Sequence, residues 1–358
     1  MHLTGTLLGI CAVLTWHASC LPTSSNQTGD TRVSVVHSFP NGTWVENIAV
    51  RSNGNLLVTL INIPEVWEID PVSKIATLVH TFLDVNTCLG IAEAEHDVFA
   101  VNTGNFSGPG LGVPGSWKVQ TLDFRATHRG GRRGRHQQSN TSSLEPKLAK
   151  IIAIPQANFL NGMSHLPSQP GTVMVGESFL GEIFAVNTLT GNYNLAIDNP
   201  LFKPNLTNVV RLGVNGVRVR KNVLYFTNSF KDPLLTKIPI SSDGRATGPA
   251  QIIAQKPQYP VDISSQADDF AIDAAGEYAW VTTDPSGVLV RIALATGAQQ
   301  VMAGGLHDPT VAGATSATFG RASRDEKTLY IVTNGGQADP SASGQKGGQV
   351  LAYDTRSL

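Results

Sequence analysis

The chain has 358 residues, with 26 Lys and Arg against 27 Asp and Glu and a formal net charge of −1. This balance argues against nucleic acid or an anionic membrane surface as the main partner. The 35 Gly and 20 Pro, with only 7% aromatic residues, predict many turns and short strands, in one large all-β domain or two ordinary domains.

The N-terminus carries the features of a secretory leader. Residues 6–14 form an apolar run that is too short to span a bilayer, and small residues follow at 18–20. The run is preceded by His2 rather than by Lys or Arg. We therefore predict a signal peptide over 1–20, a secreted or secretory-pathway protein, and no membrane insertion of the mature chain.

Sequons and cysteines agree with that compartment. Five Asn-x-Ser/Thr sequons predict N-glycosylation, at Asn26, Asn41, Asn105, Asn140 and Asn205. After cleavage only Cys88 would remain, with Cys20 if it is retained, which excludes a disulfide-stapled scaffold. The core must therefore come from the packing of apolar residues.

A similar unit recurs six times along the chain. "VVHSFPNGTW" at 35–44 and "LVHTFLDVNT" at 78–87 are alike, and each leads into two apolar runs separated by a turn. The same layout recurs at 160–176, 214–228, 267–283 and 314–334. A third and a fourth short strand follow in each unit except the last, which lacks its fourth strand; residues 32–39, ahead of the first unit, supply a matching one.

Repeats of about 50 residues, each with short alternating strands, predict an all-β fold. We expect a six-bladed β-propeller with four antiparallel strands per blade, closed by the N-terminal strand, as a single domain over 21–358.

Long insertions interrupt the repeats. Residues 125–143 carry five Arg and two His and almost nothing apolar, which predicts a flexible basic loop; the alternative is a polyanion patch or a processing site at 132–133. Loops 102–116 and 334–348 are expected on the face where propellers bind ligands, and both are predicted to shape a pocket mouth.

The innermost strand of each blade begins at the central channel, so the residues at these starts should converge on the axis. They are Glu46, Leu89, Asn161, Asn215, Asp268 and Thr315. Two carboxylates and two amide oxygens among them form a hard-oxygen set suited to Ca²⁺, Mg²⁺ or Mn²⁺. The alternative is that Asn161-Gly162 and Asn215-Gly216 only provide tight strand entry.

Further residues are predicted near the same channel. His165, Asp269, His307 and Thr315 are candidate substrate contacts, although a lone His is more often structural. Paired Asp268 and Asp269 would raise one carboxyl pKa unless a cation, Arg218 or Arg321 lies nearby.

Aromatic residues are expected around the mouth, which suits a flat, lipophilic substrate. They are Trp44, Phe106, Trp117, Phe159, Phe179, Phe230 and Tyr259, of which Trp44, Phe159 and Phe230 are the predicted substrate contacts. The chain has no Gly-x-Ser-x-Gly elbow, no His-Glu-x-x-His and no phosphate loop.

The channel residues stand in short motifs that resemble the metal-binding positions of the gluconolactonase/senescence-marker family. The motifs are "VENIAV" at Glu46, "FLNGM" at Asn161, "VNGVRV" at Asn215 and "ADDFAID" at Asp268, and "SATFGR" at 316–321 resembles the last-blade signature. The resemblance implies a six-bladed propeller and a divalent-metal lactonase with these four residues as ligands. Asp269 departs from the family's Gly, and no Pro follows Glu46.

The stretch 35–71 resembles a fungal branch of these propellers found in secondary-metabolite biosynthesis. That branch includes hetero-Diels–Alderases that join a tropolone-derived ortho-quinone methide to a humulene-type sesquiterpene. The resemblance implies a pericyclase without a required cofactor. We expect lipophilic small-molecule substrates and a monomer or weak dimer.

A cycloaddition needs no nucleophile, but it needs two partners held in one geometry with water excluded. The four channel residues would then polarise the quinone-methide carbonyl or assist the loss of water that generates it. A divalent-metal-dependent lactonase and a non-catalytic secreted binding propeller stay open as alternatives.

Overall fold

The computed structural model describes residues 32–108, 111–125, 145–207, 211–256, 267–305, 308–338 and 346–356. Within these ranges the regular structure is β-strand, apart from a 3₁₀ turn at Pro309–Val311. Several predicted features lie outside the described residues: the signal peptide over 1–20, the basic insertion beyond Arg125, and Asn26, Asn140, Tyr259 and His307.

The strands form six four-stranded antiparallel sheets, as predicted. Blade 1 contains β2 (Val45–Val50), β3 (Leu56–Leu60), β4 (Glu65–Ile69) and β5 (Ala76–Thr81). Blade 2 contains β6 (Thr87–Glu95), β7 (Val98–Gly104), β10 (Lys118–Asp123) and β11 (Lys147–Ala153). Blade 3 contains β12 (Leu160–His165), β13 (Thr172–Glu177), β14 (Glu182–Asn187) and β15 (Tyr193–Asp198). A small hairpin, β8 (Phe106–Gly108) and β9 (Leu111–Gly112), is inserted in blade 2.

Blade 4 contains β16 (Val214–Arg220), β17 (Val223–Asn228), β18 (Leu235–Pro239) and β19 (Gln251–Ala254). Blade 5 contains β20 (Ala267–Ile272), β21 (Tyr278–Thr283), β22 (Val288–Ala293) and β23 (Gln299–Gly304). Blade 6 contains β24 (Ala314–Phe319), β25 (Thr328–Thr333), β26 (Gln349–Asp354) and β1 (Val33–Ser38).

The N-terminal strand closes the ring. β1 pairs antiparallel with β26, from Val33 opposite Tyr353 to Ser38 opposite Gln349. Val36 is buried against the core that joins blades 6 and 1. The predicted closure by residues 32–39 is therefore confirmed, and it pairs an edge of the last blade that would otherwise be open.

The core lies between the blades. The six apolar clusters each join two neighbouring blades, so an inner sheet is covered on both faces. β3 accordingly is buried at every position, whereas the outermost strand of the same blade, β5, is mostly exposed or half-buried. This packing explains why the inner strands are continuous apolar runs and the outer ones are not.

Candidate functional site

A cavity of about 710 Å³ lies on the axis of the ring, because residues from all six blades line it. It brings together the four predicted oxygen donors and the three predicted aromatic contacts. The lining residues are Trp44, Glu46, Ile61, Asn62, Asn86, Phe106, Gly108, Phe159, Asn161, Leu212, Asn215, Phe230, Asp268, Asp284, Gln337 and Ala338.

Each innermost strand carries a β-bulge at the position of its channel residue. The register against the second strand shifts between Val45 and Asn47, which spans Glu46, and between Leu160 and Met163, which spans Asn161. Blades 4 and 5 have the same shift across Asn215 and Asp268. A bulge redirects its side chain out of the normal alternation, so these local irregularities aim the four donors at the axis.

Glycine follows the bulged residue in three blades because neighbouring backbones meet there. A Cβ on Gly162 would lie 2.3 Å from the Asn215 carbonyl oxygen, and one on Gly90 would lie 2.2 Å from that of Asn161. The close approach of neighbouring backbones explains why Gly follows Asn in these pairs. A tight turn of the chain at the start of the strand is not needed to explain it.

Two serines fix the orientation of the asparagine amides. Asn161 Nδ2 donates to Ser178 Oγ at 3.2 Å, and Asn215 Nδ2 donates to Ser229 Oγ at 3.0 Å. The carbonyl oxygens are the ends left for a ligand. Asn161 Oδ1 is buried without a hydrogen-bond partner, so it is free to accept from a ligand donor or to bind a cation.

Glu46 and Asp268 are buried carboxyls that favour their protonated forms. Burial raises the pKa of Glu46 to about 8, against the hydrogen bond from Trp44, and the charges of Asp284 and Asp269 add to the rise. Burial likewise raises the pKa of Asp268 well above its ordinary value, with smaller contributions from Glu46, Asp284 and Asp269. Without a cation, a pKa of about 8 leaves Glu46 mostly protonated at neutral pH, so its carboxyl group can donate a hydrogen bond.

Asp284 is a third carboxyl on the cavity wall and was missed by the sequence analysis. It follows β21, and Asn334 Nδ2 donates to its Oδ1 at 2.8 Å. Asn334 Oδ1 in turn accepts from the backbone N–H groups of Gly336 and Gln337, which fixes the amide. The available signal was the polar residue that follows several second strands, including Ser178 and Ser229.

The donor set fits a hard divalent cation. Among the described residues no three His, Cys, Asp or Glu side chains are placed to hold a metal ion, so such a site depends on the amide oxygens as well as on the carboxylates. The unpartnered Asn161 Oδ1 and two desolvated carboxyls are the features a cation would satisfy. Glu46, Asn161, Asn215 and Asp268 would hold it.

Asp269 lies beneath the cavity instead of on its wall. Its Oδ2 accepts from Arg218 Nη2 at 2.8 Å, Asn47 Nδ2 at 3.0 Å and Ser316 Oγ at 2.9 Å. The Asp269 carboxylate therefore connects blade 5 to blades 4, 1 and 6. Of the two arginines considered from sequence, Arg218 is the partner, whereas Arg321 pairs with Glu93.

Two other predicted contacts do not line the cavity. Thr315 is fully buried, and its Oγ1 donates to the Val45 carbonyl oxygen at 2.8 Å, which ties blade 6 to blade 1. His165 ends β12, at the opposite end of the strand from the bulge, and burial lowers its pKa.

An aromatic wall covers one side of the cavity. Phe159 stacks on Trp117 with ring centroids 5.4 Å apart, and lies 5.2 Å from Phe106 and 5.1 Å from Phe179. Phe106 stands on the inserted hairpin of blade 2, in one of the two loops predicted to shape the mouth. The other loop contributes Gln337 and Ala338. The cavity thus has an aromatic side at blades 2 and 3 and an acidic side at blades 1 and 5.

Three of the predicted sequons fall on described residues. Asn41 is exposed, and Asn105 and Asn205 are half-buried. Glycosylation stays a prediction. None of the helices among the described residues has the length and apolar character needed to cross a membrane.

The raised pKa values of Glu46 and Glu177 predict that the protein becomes less stable as pH rises. Burial raises the pKa of these carboxyls from 4.5 to about 8 and about 7, so the folded state binds their protons more tightly than the unfolded state does. Their contribution is full below pH 4.5 and is lost as pH rises through 7 for Glu177 and through 8 for Glu46, on the order of 3 kcal/mol for Glu177 and 5 kcal/mol for Glu46.

Urea unfolding at pH 5 and pH 8.5, in the presence of EDTA, measures this loss. Glu46→Gln should make the free energy of unfolding less dependent on pH. The same pH dependence in wild type and variant would contradict the prediction.

Comparisons with known proteins agree with the predicted resemblance. No family model matches the chain. It is 27% identical over 342 residues to a protein of Phoma sp named "Putative hetero-Diels-Alderase", covering 87% of this chain and 90% of that one. It is 26% identical over 330 residues to "Putative hetero-Diels-Alderase asR5" of Sarocladium schorii, covering 83% of this chain and 77% of that one.

Solved structures resemble the fold. A luciferin-regenerating enzyme is 13% identical with a TM-score of 0.58, covering 88% of this chain and 92% of that one. The calcium-binding protein regucalcin of Agrobacterium tumefaciens is 14% identical with a TM-score of 0.54, covering 89% and 92%. At these identities the structures show a shared propeller and nothing about activity.

Proposed function

We propose that the protein is a pericyclase, as the names of its two sequence relatives suggest, and that it joins a tropolone-derived ortho-quinone methide to a humulene-type sesquiterpene. The observation that carries the proposal is the division of the cavity, which has a volume of about 710 Å³, into two sides. Buried carboxyl groups line one side and aromatic side chains line the other. One partner is a polar enone and the other is a hydrocarbon, and each side of the cavity suits one of them.

The acidic side would bind and activate the quinone methide. Protonated Glu46 donates a hydrogen bond to the carbonyl oxygen, which withdraws electron density from the heterodiene and stabilises charge on that oxygen in the transition state. In the cycloaddition one C–C bond and one C–O bond form between the partners, and no atom leaves. The enzyme therefore needs only to orient and polarise.

The same side can assist the loss of water that forms the quinone methide. The C–O bond to the departing hydroxyl breaks as Glu46 gives it a proton, and the proton of the ring hydroxyl goes to the Asp284 carboxylate. Water leaves, Glu46 ends ionised and Asp284 protonated, and proton exchange restores both groups. Asn334 holds Asp284 in place for this step.

The aromatic side would bind the terpene. Phe106, Phe159, Ile61 and Leu212 present an apolar surface, and burial of hydrocarbon area contributes roughly 25 cal/mol per Å². Holding the olefin against this wall fixes which face meets the heterodiene, and it keeps water away from the short-lived enone.

A divalent-metal-dependent lactonase is the second candidate, favoured by the unpartnered Asn161 Oδ1 among four hard oxygen donors. A bound cation would polarise a lactone carbonyl and lower the pKa of a bound water. In either case the oxygen donors fix where the substrate carbonyl lies. Secretion, glycosylation and a monomeric or weakly dimeric state remain predictions.

An activity assay with and without EDTA tests the proposal. Purified protein is offered a tropolone quinone-methide precursor with humulene, and separately a panel of lactones. We expect a single-enantiomer adduct that survives chelation. Lactone opening that EDTA abolishes and Ca²⁺ or Mn²⁺ restores would replace the pericyclase with the lactonase, and tight binding without turnover would indicate a binding propeller.

A further inference from the structure

Glu177 is a buried carboxyl that neither lines the cavity nor takes part in the chemistry above. It ends β13, is 0% exposed, and accepts three backbone hydrogen bonds. Its Oε1 accepts from Asn158 N at 2.8 Å and from Phe159 N at 2.6 Å, and its Oε2 accepts from Leu180 N. One side chain thus bonds to the two chain segments 158–161 and 178–180.

Each of these two segments contributes both an aromatic ring and a polar group to the cavity region. Segment 158–161 carries Phe159 of the aromatic wall and the channel residue Asn161, and segment 178–180 carries Phe179, against Phe159, and Ser178. The segments also bond directly, because Ser178 N donates to the Phe159 carbonyl oxygen at 2.9 Å and Asn161 Nδ2 donates to Ser178 Oγ. Glu177 therefore lies at the junction of the aromatic wall and the oxygen donors.

Only a carboxyl group satisfies this arrangement. Three N–H groups point at one buried site, and an ionised carboxylate offers two oxygens with several lone pairs. A glutamine has one amide oxygen, and its NH₂ group would face the Leu180 N–H, donor against donor. Leaving a buried N–H without an acceptor costs about 1–3 kcal/mol.

The charged groups around Glu177 are Glu182, on the neighbouring strand, and Lys203, which bonds to Leu180. Burial raises its pKa to about 7, the three N–H groups oppose the rise, and the charge of Glu182 on the neighbouring strand adds to it. Lys203 Nζ donates to the Leu180 carbonyl oxygen at the other end of the turn. Glu182 lies directly opposite Glu177 in the sheet, which makes it the matched control.

We propose that Glu177 is a positioning residue, whose backbone bonds hold Phe159 and Asn161 in the relative arrangement that the two substrates require. The proposal rests on the proposed function for the identity of those substrates. The connection that Glu177 makes between segments 158–161 and 178–180 does not depend on which substrates bind.

Hydrogen exchange followed by mass spectrometry tests directly whether Glu177 stabilises the two segments. In Glu177→Gln we expect amides in 158–161 and 178–180 to exchange about tenfold faster than in wild type, since the bonds that protect them are weakened. Glu182→Gln, the same change across the strand pair, should leave both segments as in wild type. Equal exchange of these segments in Glu177→Gln and wild type would overturn the proposal.

Enzyme kinetics and ligand binding test whether the stabilisation of these segments by Glu177 affects substrate binding in the cavity. We expect Glu177→Gln to raise the KM for humulene about tenfold with kcat within about threefold, and to lower the enantiomeric excess, while Glu182→Gln does neither. The Kd of the neutral fluorophore N-phenyl-1-naphthylamine should rise in parallel. Faster exchange with an unchanged KM and fluorophore Kd would make Glu177 a stability feature and overturn the positioning role.

The two proposals fail separately. If wild type forms no adduct, the pericyclase is wrong, and exchange with fluorophore Kd still decides the role of Glu177. If wild type forms the adduct and Glu177→Gln matches it in exchange, KM and stereochemistry, only the positioning role is wrong.

Discussion

Glu46→Gln is expected to lower kcat for adduct formation by about 100-fold, with KM changed by a few-fold at most. Glutamine keeps the shape of the side chain, and its amide oxygen can still accept the hydrogen bond that Trp44 Nε1 gives to Glu46 Oε2 at 2.8 Å. What is lost is a proton that can be donated to the substrate. The cavity stays intact while the chemistry slows.

The pH dependence gives a second signature of the same group. Since burial raises the pKa of Glu46 to about 8, the donor form disappears as pH rises through that value, and wild-type kcat should fall above it. In Glu46→Gln this fall should be absent. Steady-state kinetics from pH 6 to 9.5 measure both effects.

Blade 1 supplies an unusually close control. Glu65 Oε2 accepts from Trp67 Nε1 at 2.8 Å, so it is also paired with a Trp two residues away, in the reverse sequence order, but it lies on β4 and does not line the cavity. Glu65→Gln should retain wild-type kcat and pH dependence. Activity of Glu46→Gln within threefold of wild type would exclude Glu46 as the proton donor.

Phe159→Leu is expected to raise the KM for humulene at least tenfold and to lower the enantiomeric excess of the adduct. Leucine keeps apolar volume but loses the ring that stacks on Trp117 and contacts Phe106 and Phe179. A tenfold change corresponds to about 1.4 kcal/mol, which is within the range for loss of aromatic contacts. kcat should change less than KM, because the acidic side is untouched.

Phe184→Leu separates binding from stability. Phe184 is 1% exposed on β14 of the same blade and makes an edge contact with Tyr193, without lining the cavity. Both variants should lose a similar free energy of unfolding, and only Phe159→Leu should alter KM and stereochemistry. Equal KM values in the two variants would mean that the terpene does not lie against the aromatic wall.

Much of the architecture was predictable because a propeller repeats its local pattern. The alternation of apolar residues and turns gave six units, and the unmatched strand at 32–39 predicted the closure with β26. Comparison of equivalent positions then located Glu46, Asn161, Asn215 and Asp268 in one cavity without any coordinates.

Two predicted contacts, Thr315 and Asp269, show what a comparison of equivalent positions does not predict. Thr315 occupies an equivalent strand start, but its hydroxyl bonds to the Val45 carbonyl oxygen of the next blade. Asp269 follows a channel residue, but its carboxylate bonds to Arg218 beneath the cavity. Equivalent sequence position fixes where a residue's backbone lies, and the neighbouring blade decides what its side chain contacts.

The sequence by itself determined the strand pattern and the number of blades, and it placed four oxygen-bearing strand starts at the axis, because these features follow from local alternation and repetition. The tertiary structure alone placed Asp284 beside Glu46, joined Glu177 to Phe159 and Leu180, and set the raised carboxyl pKa values. Those features depend on burial and on contacts between segments distant in the chain. No local pattern encodes them, because the free energy of a buried charge depends on every group that surrounds it.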